Sequence, residues 1–259
     1  MIPEPWILAG LALVGMVAGS AMTALAYRIP RGISWAEGRS ACPSCGHALG
    51  VRDLVPVLSW FLARGRCRHC GARVPFRYPL TELLCAAWAV LLWRHTGAVA
   101  AFPLLALWGW LLIALTWTDL EHQLLPDALT FTGFVVGVAA TVVAGRGGWF
   151  AIYGIVLGSG VLWLLAAGYE LVRKNEGMGG GDIKLAAMFG AVLGWKLTLL
   201  TLFLAALLGT IWGAALILGK RGTGKTALPF GALLAPSAMI LLLWGPAILR
   251  AYFRLWASS

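Results

Sequence analysis

Two aspartates in this sequence have surroundings that favour chemistry over ordinary packing. Asp119 directly follows a long apolar run, and Asp182 stands between three consecutive glycines and another apolar run. A carboxylate at or inside a bilayer is energetically costly, so each is a candidate functional group. Two carboxylates in one site share a single proton, so that one can activate a water molecule while the other polarises a carbonyl. The pair therefore indicates hydrolysis by two aspartates.

The alternative for each aspartate is that it caps or flanks a helix. An acidic residue near a helix N-terminus is favourable, and Asp127, which follows Pro126, fits the role of a cap. Capping does not explain the glycines before Asp182. Glycine allows positive φ and close approach of another backbone, which an extended peptide substrate lying along this stretch would need.

Four cysteines form two C-x2-C pairs, a spacing typical of a structural zinc site with tetrahedral thiolate coordination. The predicted ligands are Cys42, Cys45, Cys67 and Cys70. Iron–sulfur ligation and four free thiols remain alternatives. His47 and His69 are interpreted as bystanders, because four thiolates already complete the site, and Cys85 as a small buried apolar residue.

A third motif is interpreted as a chance match. Gly219–Thr226 reads GKRGTGKT, which fits the phosphate-binding pattern G-x4-G-K-[ST]. That loop requires a strand before it and a helix after it, whereas here an apolar run precedes it and Leu-Pro-Phe-Gly follows. We expect a basic turn and no ATP binding.

The elements that must position these residues are membrane helices. The chain is 60% hydrophobic with a mean hydropathy of +0.84 and 12% charged residues, whereas soluble domains are about 45–50% apolar. We predict an all-α polytopic membrane protein with about eight transmembrane helices, the first retained because no basic residue precedes it. The segments are roughly Pro5–Tyr27, Leu80–His95, Val99–Thr118, Asp127–Ala144, Trp149–Val172, Ile183–Leu193, Leu197–Leu218 and Leu228–Leu255.

The basic residues predict the orientation of these helices. Most of the 20 Lys and Arg residues fall on one side if the long polar loop Arg28–Pro79 is cytoplasmic. Both termini are then outside, with the N-terminus periplasmic, and both aspartates lie on the cytoplasmic side. The net charge of +10 is mainly this topology signal, so no nucleic-acid partner is expected. The predicted domains are a first helix (1–27), a cytoplasmic cysteine loop (28–79) and a transmembrane core (80–259).

Four stretches, taken in order, resemble the type IV prepilin peptidase family of GxGD intramembrane aspartyl proteases. They are the cysteine loop from ACPSCGHAL to LTELL, TDLEHQLLPDALT, GMGGGDIKL and LPFGALLAP. The resemblance implies that Asp119 and Asp182 are the catalytic pair. It also suggests Gly179, Gly181 and Lys184 as residues that bind the substrate.

The resemblance further implies a bifunctional enzyme of the bacterial inner membrane. Such an enzyme cleaves the basic leader from prepilins or type II secretion pseudopilins, and many members then methylate the new N-terminus with S-adenosylmethionine. No glycine motif of a methyl-donor site is present. Glu82 is a weak candidate for that second site, and an interfacial ion pair with Arg77 is the alternative.

Two other classes of protein compete with this interpretation. A transporter could use intramembrane aspartates for protons or cations, although it would not need the cysteine loop and no inverted repeat is evident. A zinc-loop scaffold without catalysis is the other alternative, and aspartate-to-asparagine substitutions distinguish it from an enzyme.

Overall fold

A computed structural model describes residues 3–34, 39–174, 179–220 and 228–257. The described residues are mainly helical, and their only β-structure consists of two isolated bridges. The helices are α1 (Glu4–Arg28), α2 (Leu58–Leu62), α3 (Arg77–Thr96), α4 (Phe102–His122), α5 (Asp127–Val143), α6 (Gly148–Arg173), α7 (Gly180–Leu218) and α8 (Gly231–Ala257). The chain forms two compact units, Met1–Ala98 and Val99–Ser259. The all-α prediction is confirmed.

Five of the described helices are long and apolar enough to cross a membrane: α1, α4, α6, α7 and α8. Helix α5 is apolar but shorter. These helices make the chain a membrane protein by length and composition. The count of eight crossings remains a prediction.

In the first unit, α1 and α3 pack closely because two glycines face the partner helix. A Cβ atom at Gly15 would lie 2.6 Å from the Ala86 Cα, and one at Gly19 would lie 2.5 Å from the Glu82 Cα. This small-x3-small spacing is the usual means of close helix contact in membranes. The stretch between the two helices carries the four cysteines.

In the second unit, α7 folds back on itself at Gly194, whose φ of 67° and ψ of 172° break the helix. Gly158 of α6 faces both Thr198 and Ala186, since a Cβ atom there would lie 2.6 Å from the Thr198 Cγ2 and 3.2 Å from the Ala186 carbonyl oxygen. In a straight helix those two residues would be about 18 Å apart. The first arm (180–193) and second arm (195–218) are therefore antiparallel, as two separate sequence segments predicted.

Three contacts show how α5 and α8 run relative to the helices beside them. Helix α5 runs parallel to the first arm, because Asp127 pairs with Lys184 near their starts and the Thr141 hydroxyl donates to the Ala191 carbonyl farther along. Helix α8 starts against the end of α4, where the Ala232 N–H meets Asp119. The end of α4 and the starts of α5, α7 and α8 thus lie together at one end of the unit.

Parts of two sequence motifs lie outside the described residues. They are 175–178, which precede the glycines of the aspartate motif, and 221–227, which hold most of the phosphate-loop pattern.

Candidate active site and cysteine cluster

Asp119 lies near the end of α4 and is hydrogen-bonded by the start of α8. Its Oδ2 accepts the Ala232 N–H at 2.7 Å, and Gly231, the first residue of α8, lies beside the same carboxylate. The first N–H groups of a helix have no partner within the helix, so α8 can use them for a side chain of α4. These contacts hold Asp119, which is 6% exposed, and stabilise its charge.

Asp182 is the third residue of α7, one turn after the N-cap Gly179. Its backbone N–H donates to the Gly179 carbonyl, so the helix is already formed where the carboxylate projects. The charges of Asp182 and Asp119 interact. Asp119 and Asp182 are 63 positions apart in sequence, and they lie close enough for their charges to repel each other.

Leu125 covers one side of this pair. A Cβ atom at Gly181 would lie 3.0 Å from the Leu125 Cβ, and one at Gly231 would lie 2.9 Å from the Leu125 Cδ1 and 3.1 Å from the Asp119 Oδ2. The two helix starts approach Asp119 and Leu125 because they carry no side chain at these positions. Sequence analysis missed Leu125, Gly231 and Ala232 as parts of the site. For Gly231 and Ala232 the available signal was the Pro-Phe-Gly stretch that ends at the first residue of α8, whereas Leu125 carried none.

The glycines before Asp182 do not use positive φ, which was one of the two roles expected of them. Gly179 has a φ of −69°, and neither Gly180 nor Gly181 is among the residues with positive φ. The other expected role, close approach of a second backbone, fits the structure. Among the described residues, a Cβ atom at Gly179 or Gly180 would meet nothing within 4 Å. No atom in the described part of the chain would therefore crowd a second backbone that passes beside these two glycines.

Asp127 is not the helix cap that the sequence suggested. The N-cap of α5 is Pro126, and no side chain caps this helix. Asp127 is the first residue of α5, and its Oδ1 accepts a hydrogen bond of 2.6 Å from the Lys184 Nζ in an exposed ion pair. Lys184, expected to bind substrate, is the fifth residue of α7 and therefore ties the beginning of that helix to α5.

We predict that Asp127→Asn lowers cleavage of a leader-bearing substrate by less than about fivefold, because exposed ion pairs contribute at most about 1 kcal/mol. The measurement is the initial cleavage rate of the purified variant beside the unaltered protein. A much larger loss would mean that Asp127 belongs to the catalytic group.

The four predicted cysteine ligands converge, and their sulfur atoms lie within 4.8 Å of one another. The Cys42 and Cys70 sulfurs are 3.9 Å apart. Tetrahedral zinc with Zn–S bonds of about 2.3 Å separates its sulfurs by about 3.8 Å, so the cluster fits this metal. Among the described residues it is the only such group of potential metal ligands.

The two C-x2-C pairs fold in the same way. In each, the first cysteine carbonyl accepts the N–H of the glycine after the second cysteine, and that glycine has positive φ: 70° at Gly46 and 72° at Gly71. The backbone N–H groups of Ser44 and Cys45 near the Cys42 sulfur lower the pKa of this thiol to about 6. A thiolate is the form that binds metal.

The histidines and the fifth cysteine lie outside the metal-ligand group. The His47 and His69 rings stack on each other with centroids 3.4 Å apart and so link the two cysteine pairs. Cys85 is fully buried in α3, which confirms its interpretation as a packing residue.

A cavity of about 420 Å³ lies within the first unit, between the cysteine pairs and the helices α1 and α3. The residues that line it include Glu82, Asp53, Trp60 and Tyr78. Glu82 is 9% exposed, and its Oε2 accepts the Val57 N–H at 2.6 Å. Glu82, the residue that the sequence offered for a second site, therefore lines a cavity of ligand size.

Comparisons with known proteins match both units of the chain. Residues 13–96 match a bacterial peptidase A24 N-terminal domain, and residues 105–214 match the type IV leader peptidase family. A prepilin leader peptidase/N-methyltransferase of Pseudomonas aeruginosa is 35% identical over 272 residues, covering 93% of this chain and 92% of that protein. The chain belongs to the type IV leader peptidase family.

Further relatives in this family carry the same name. The protein of Aeromonas salmonicida is 40% identical over 226 residues, which cover 83% of this chain and 74% of the relative. That of Bacillus subtilis is 32% identical over 247 residues, with 95% and 97% covered. No solved structure matches the chain. These relatives do not support the transporter alternative.

Proposed function

We propose that this membrane-embedded family member cleaves the leader peptide from prepilins or pseudopilins with Asp119 and Asp182 as its catalytic pair. The observation that carries the proposal is the meeting of both carboxylates at the junction of α4, α7 and α8. Membership of the type IV leader peptidase family supports leader cleavage as the reaction.

The contacts of the two aspartates favour different roles. Asp119 accepts the Ala232 N–H, a contact that stabilises the carboxylate form, and we assign it as the base that takes a proton from water. The negative charge of Asp119 acts on Asp182. Asp182 is therefore assigned as the neutral partner, whose carboxyl O–H donates a hydrogen bond to the scissile carbonyl. Like charges so close cannot both ionise cheaply, and the pair therefore holds one proton.

The substrate would approach along Gly179 and Gly180, where none of the described side chains lies within 4 Å of an added Cβ atom. An extended leader junction placed there lies beside the first turn of α7, from which Asp182 projects. Lys184 is two residues farther along the same helix. In this proposal it contributes to substrate binding through its position beside that path while it pairs with Asp127.

The second activity, methylation of the new N-terminus, is proposed for the cavity of the first unit. Its volume of about 420 Å³ falls in the range of about 300–1,000 Å³ typical of small-molecule sites. S-adenosylmethionine supplies an activated methyl group when bound. The Asp53 and Glu82 carboxylates suit its hydroxyl and ammonium groups, and the Trp60 and Tyr78 rings suit its adenine and its sulfonium cation.

Zinc is the metal proposed for the four cysteines, with a structural role. Four thiolates leave no open coordination position for catalysis. The proposed setting is the bacterial inner membrane, with eight crossings, the cysteine loop in the cytoplasm and the N-terminus in the periplasm. The two arms of α7 would account for two of the crossings.

Incubation of the purified full chain with a prepilin, with and without S-adenosylmethionine, tests both activities. Mass spectrometry should find the shortened product in both reactions and a product heavier by one methyl group only with the donor. Absence of the shortened product would refute the peptidase assignment. Cleavage without methylation would refute the second activity alone.

We predict that Ala232→Pro lowers kcat of cleavage by about ten- to a hundredfold and leaves KM unchanged. Proline removes the N–H that donates to Asp119, and a hydrogen bond to a charged group contributes about 1.5–3 kcal/mol. No intrahelical bond is lost, because this N–H lies in the first turn of α8.

Ala128→Pro is the matched control, since Ala128 is also the second residue of its helix and is exposed. It should cleave normally. Equal losses in the two variants would assign the effect to proline in a first turn, and an unchanged kcat in Ala232→Pro would remove the N–H group from the mechanism.

A further inference from the structure

The cysteine loop of the first unit (28–79), which we call the cysteine module, carries a group of exposed apolar side chains. Within the stretch 51–62, which we call the apolar segment, six large hydrophobic side chains are exposed by 40% or more: Val51, Leu54, Val55, Leu58, Phe61 and Leu62. Val51 and Leu62 reach 83% and 77% exposure. So many neighbouring apolar side chains on a loop mark a site of interaction with a membrane or a protein.

The segment is attached to a helix of the first unit by a backbone hydrogen bond. The Val57 N–H donates to the Glu82 Oε2 at 2.6 Å, and Val57 adopts a φ of 61° that a β-branched residue rarely takes. Glu82 is in turn packed against Gly19 of α1, and α1 is one of the helices long and apolar enough to cross a membrane. The segment is therefore held beside a membrane helix.

The position of Glu82 along α3 indicates how deep the apolar segment would lie in a bilayer. Glu82 follows Arg77, the first residue of α3, by five positions, or about 7.5 Å along the helix axis. The headgroup layer on each side of a bilayer is about 5–8 Å thick. An Arg77 placed at the outer edge of that layer would put Val57 within it or at its inner boundary.

Charge complementarity identifies the lipid class. The apolar segment contains the exposed Arg52, and it is followed by the exposed Arg64 and Arg66. Exposed apolar side chains flanked by arginines are typical of a segment that lies in the interface of an anionic membrane. We propose that residues 51–62 lie in the headgroup layer of the bilayer, with anionic phospholipid headgroups bound by Arg52 and Arg64, and so hold the cysteine module against the membrane.

The test is photocrosslinking of the full chain in vesicles of three parts phosphatidylethanolamine to one part phosphatidylglycerol. p-Benzoylphenylalanine replaces Phe61 or Leu62 in the segment, or Ala48, an exposed residue of the first cysteine pair, as the control. We expect at least tenfold more lipid adduct at Phe61 and Leu62 than at Ala48. Retained leader cleavage by each labelled protein serves as the check of folding.

The same adducts test the choice of lipid. Phosphatidylglycerol should be at least twofold enriched among them over its share of the vesicles, and the enrichment should disappear in Arg52→Gln/Arg64→Gln. Adducts to protein in place of lipid would show that a protein surface covers the segment and would overturn the proposal. Equal lipid adducts at Ala48, or no enrichment of the anionic lipid, would also contradict it.

Discussion

Asp119→Asn and Asp182→Asn should each lower leader cleavage at least about a thousandfold, the scale seen when one member of a catalytic group that acts as a unit is removed. An amide at position 119 cannot take a proton from water, and an amide at position 182 cannot share the proton of the pair. Each substitution keeps the size of the side chain. The measurement is single-turnover cleavage of a prepilin by purified protein in detergent.

Asp127→Asn is the matched control for these variants, because Asp127 is an aspartate of the same unit whose exposed carboxylate pairs with Lys184. All three variants should be produced in similar amounts, and only the control should cleave. Substantial cleavage by either Asp119→Asn or Asp182→Asn would exclude the two-aspartate mechanism.

Cys42→Ser and Cys67→Ser should each release the metal and lower methyl transfer at least about tenfold more than cleavage. Three thiolates cannot preserve a closed tetrahedral site, and the cavity proposed for the methyl donor is lined by both of these cysteines. The aspartates belong to the second compact unit, so their chemistry does not require the metal. Cleavage should fall only in part, because the substrate would dock less tightly or the protein would be less stable.

The measurement for the cysteine variants combines zinc content, cleavage and methyl incorporation on the same purified proteins. Cys85→Ser is the control, since Cys85 is buried in α3 away from the metal ligands, and it should keep its zinc. Complete loss of both activities in a folded Cys42→Ser protein would show that the two sites are not separate. Full activity without zinc would make the cysteine loop dispensable.

Sequence patterns predicted the features that depend on local chemistry. The apolar runs gave the helices, and the interruption around Gly194 separated two segments that the structure shows as antiparallel arms of α7. The C-x2-C spacing determined which thiols converge, because each pair closes a short turn with a glycine at positive φ. The two aspartates were identified because a carboxylate beside an apolar run is rare.

Contacts between distant backbone and side-chain atoms could not be predicted in the same way. The partner of Asp119 is the backbone N–H of Ala232, and any residue type except proline would provide such a group. Asp127 looked like a cap because it follows a proline at a helix start, but its carboxylate lies within reach of Lys184, 57 positions later. Leu125 carried no signal, since an apolar residue fits many places in this chain.

The most direct test of the central claim, that Asp119 and Asp182 act as one catalytic group, compares both single asparagine variants with the double variant. Single-turnover cleavage of a prepilin is followed by mass spectrometry with enzyme in excess. Members of one catalytic unit are not additive, so the double variant should be no slower than either single variant, within error. Losses that multiply in the double variant would show that the two aspartates act independently and would contradict this account.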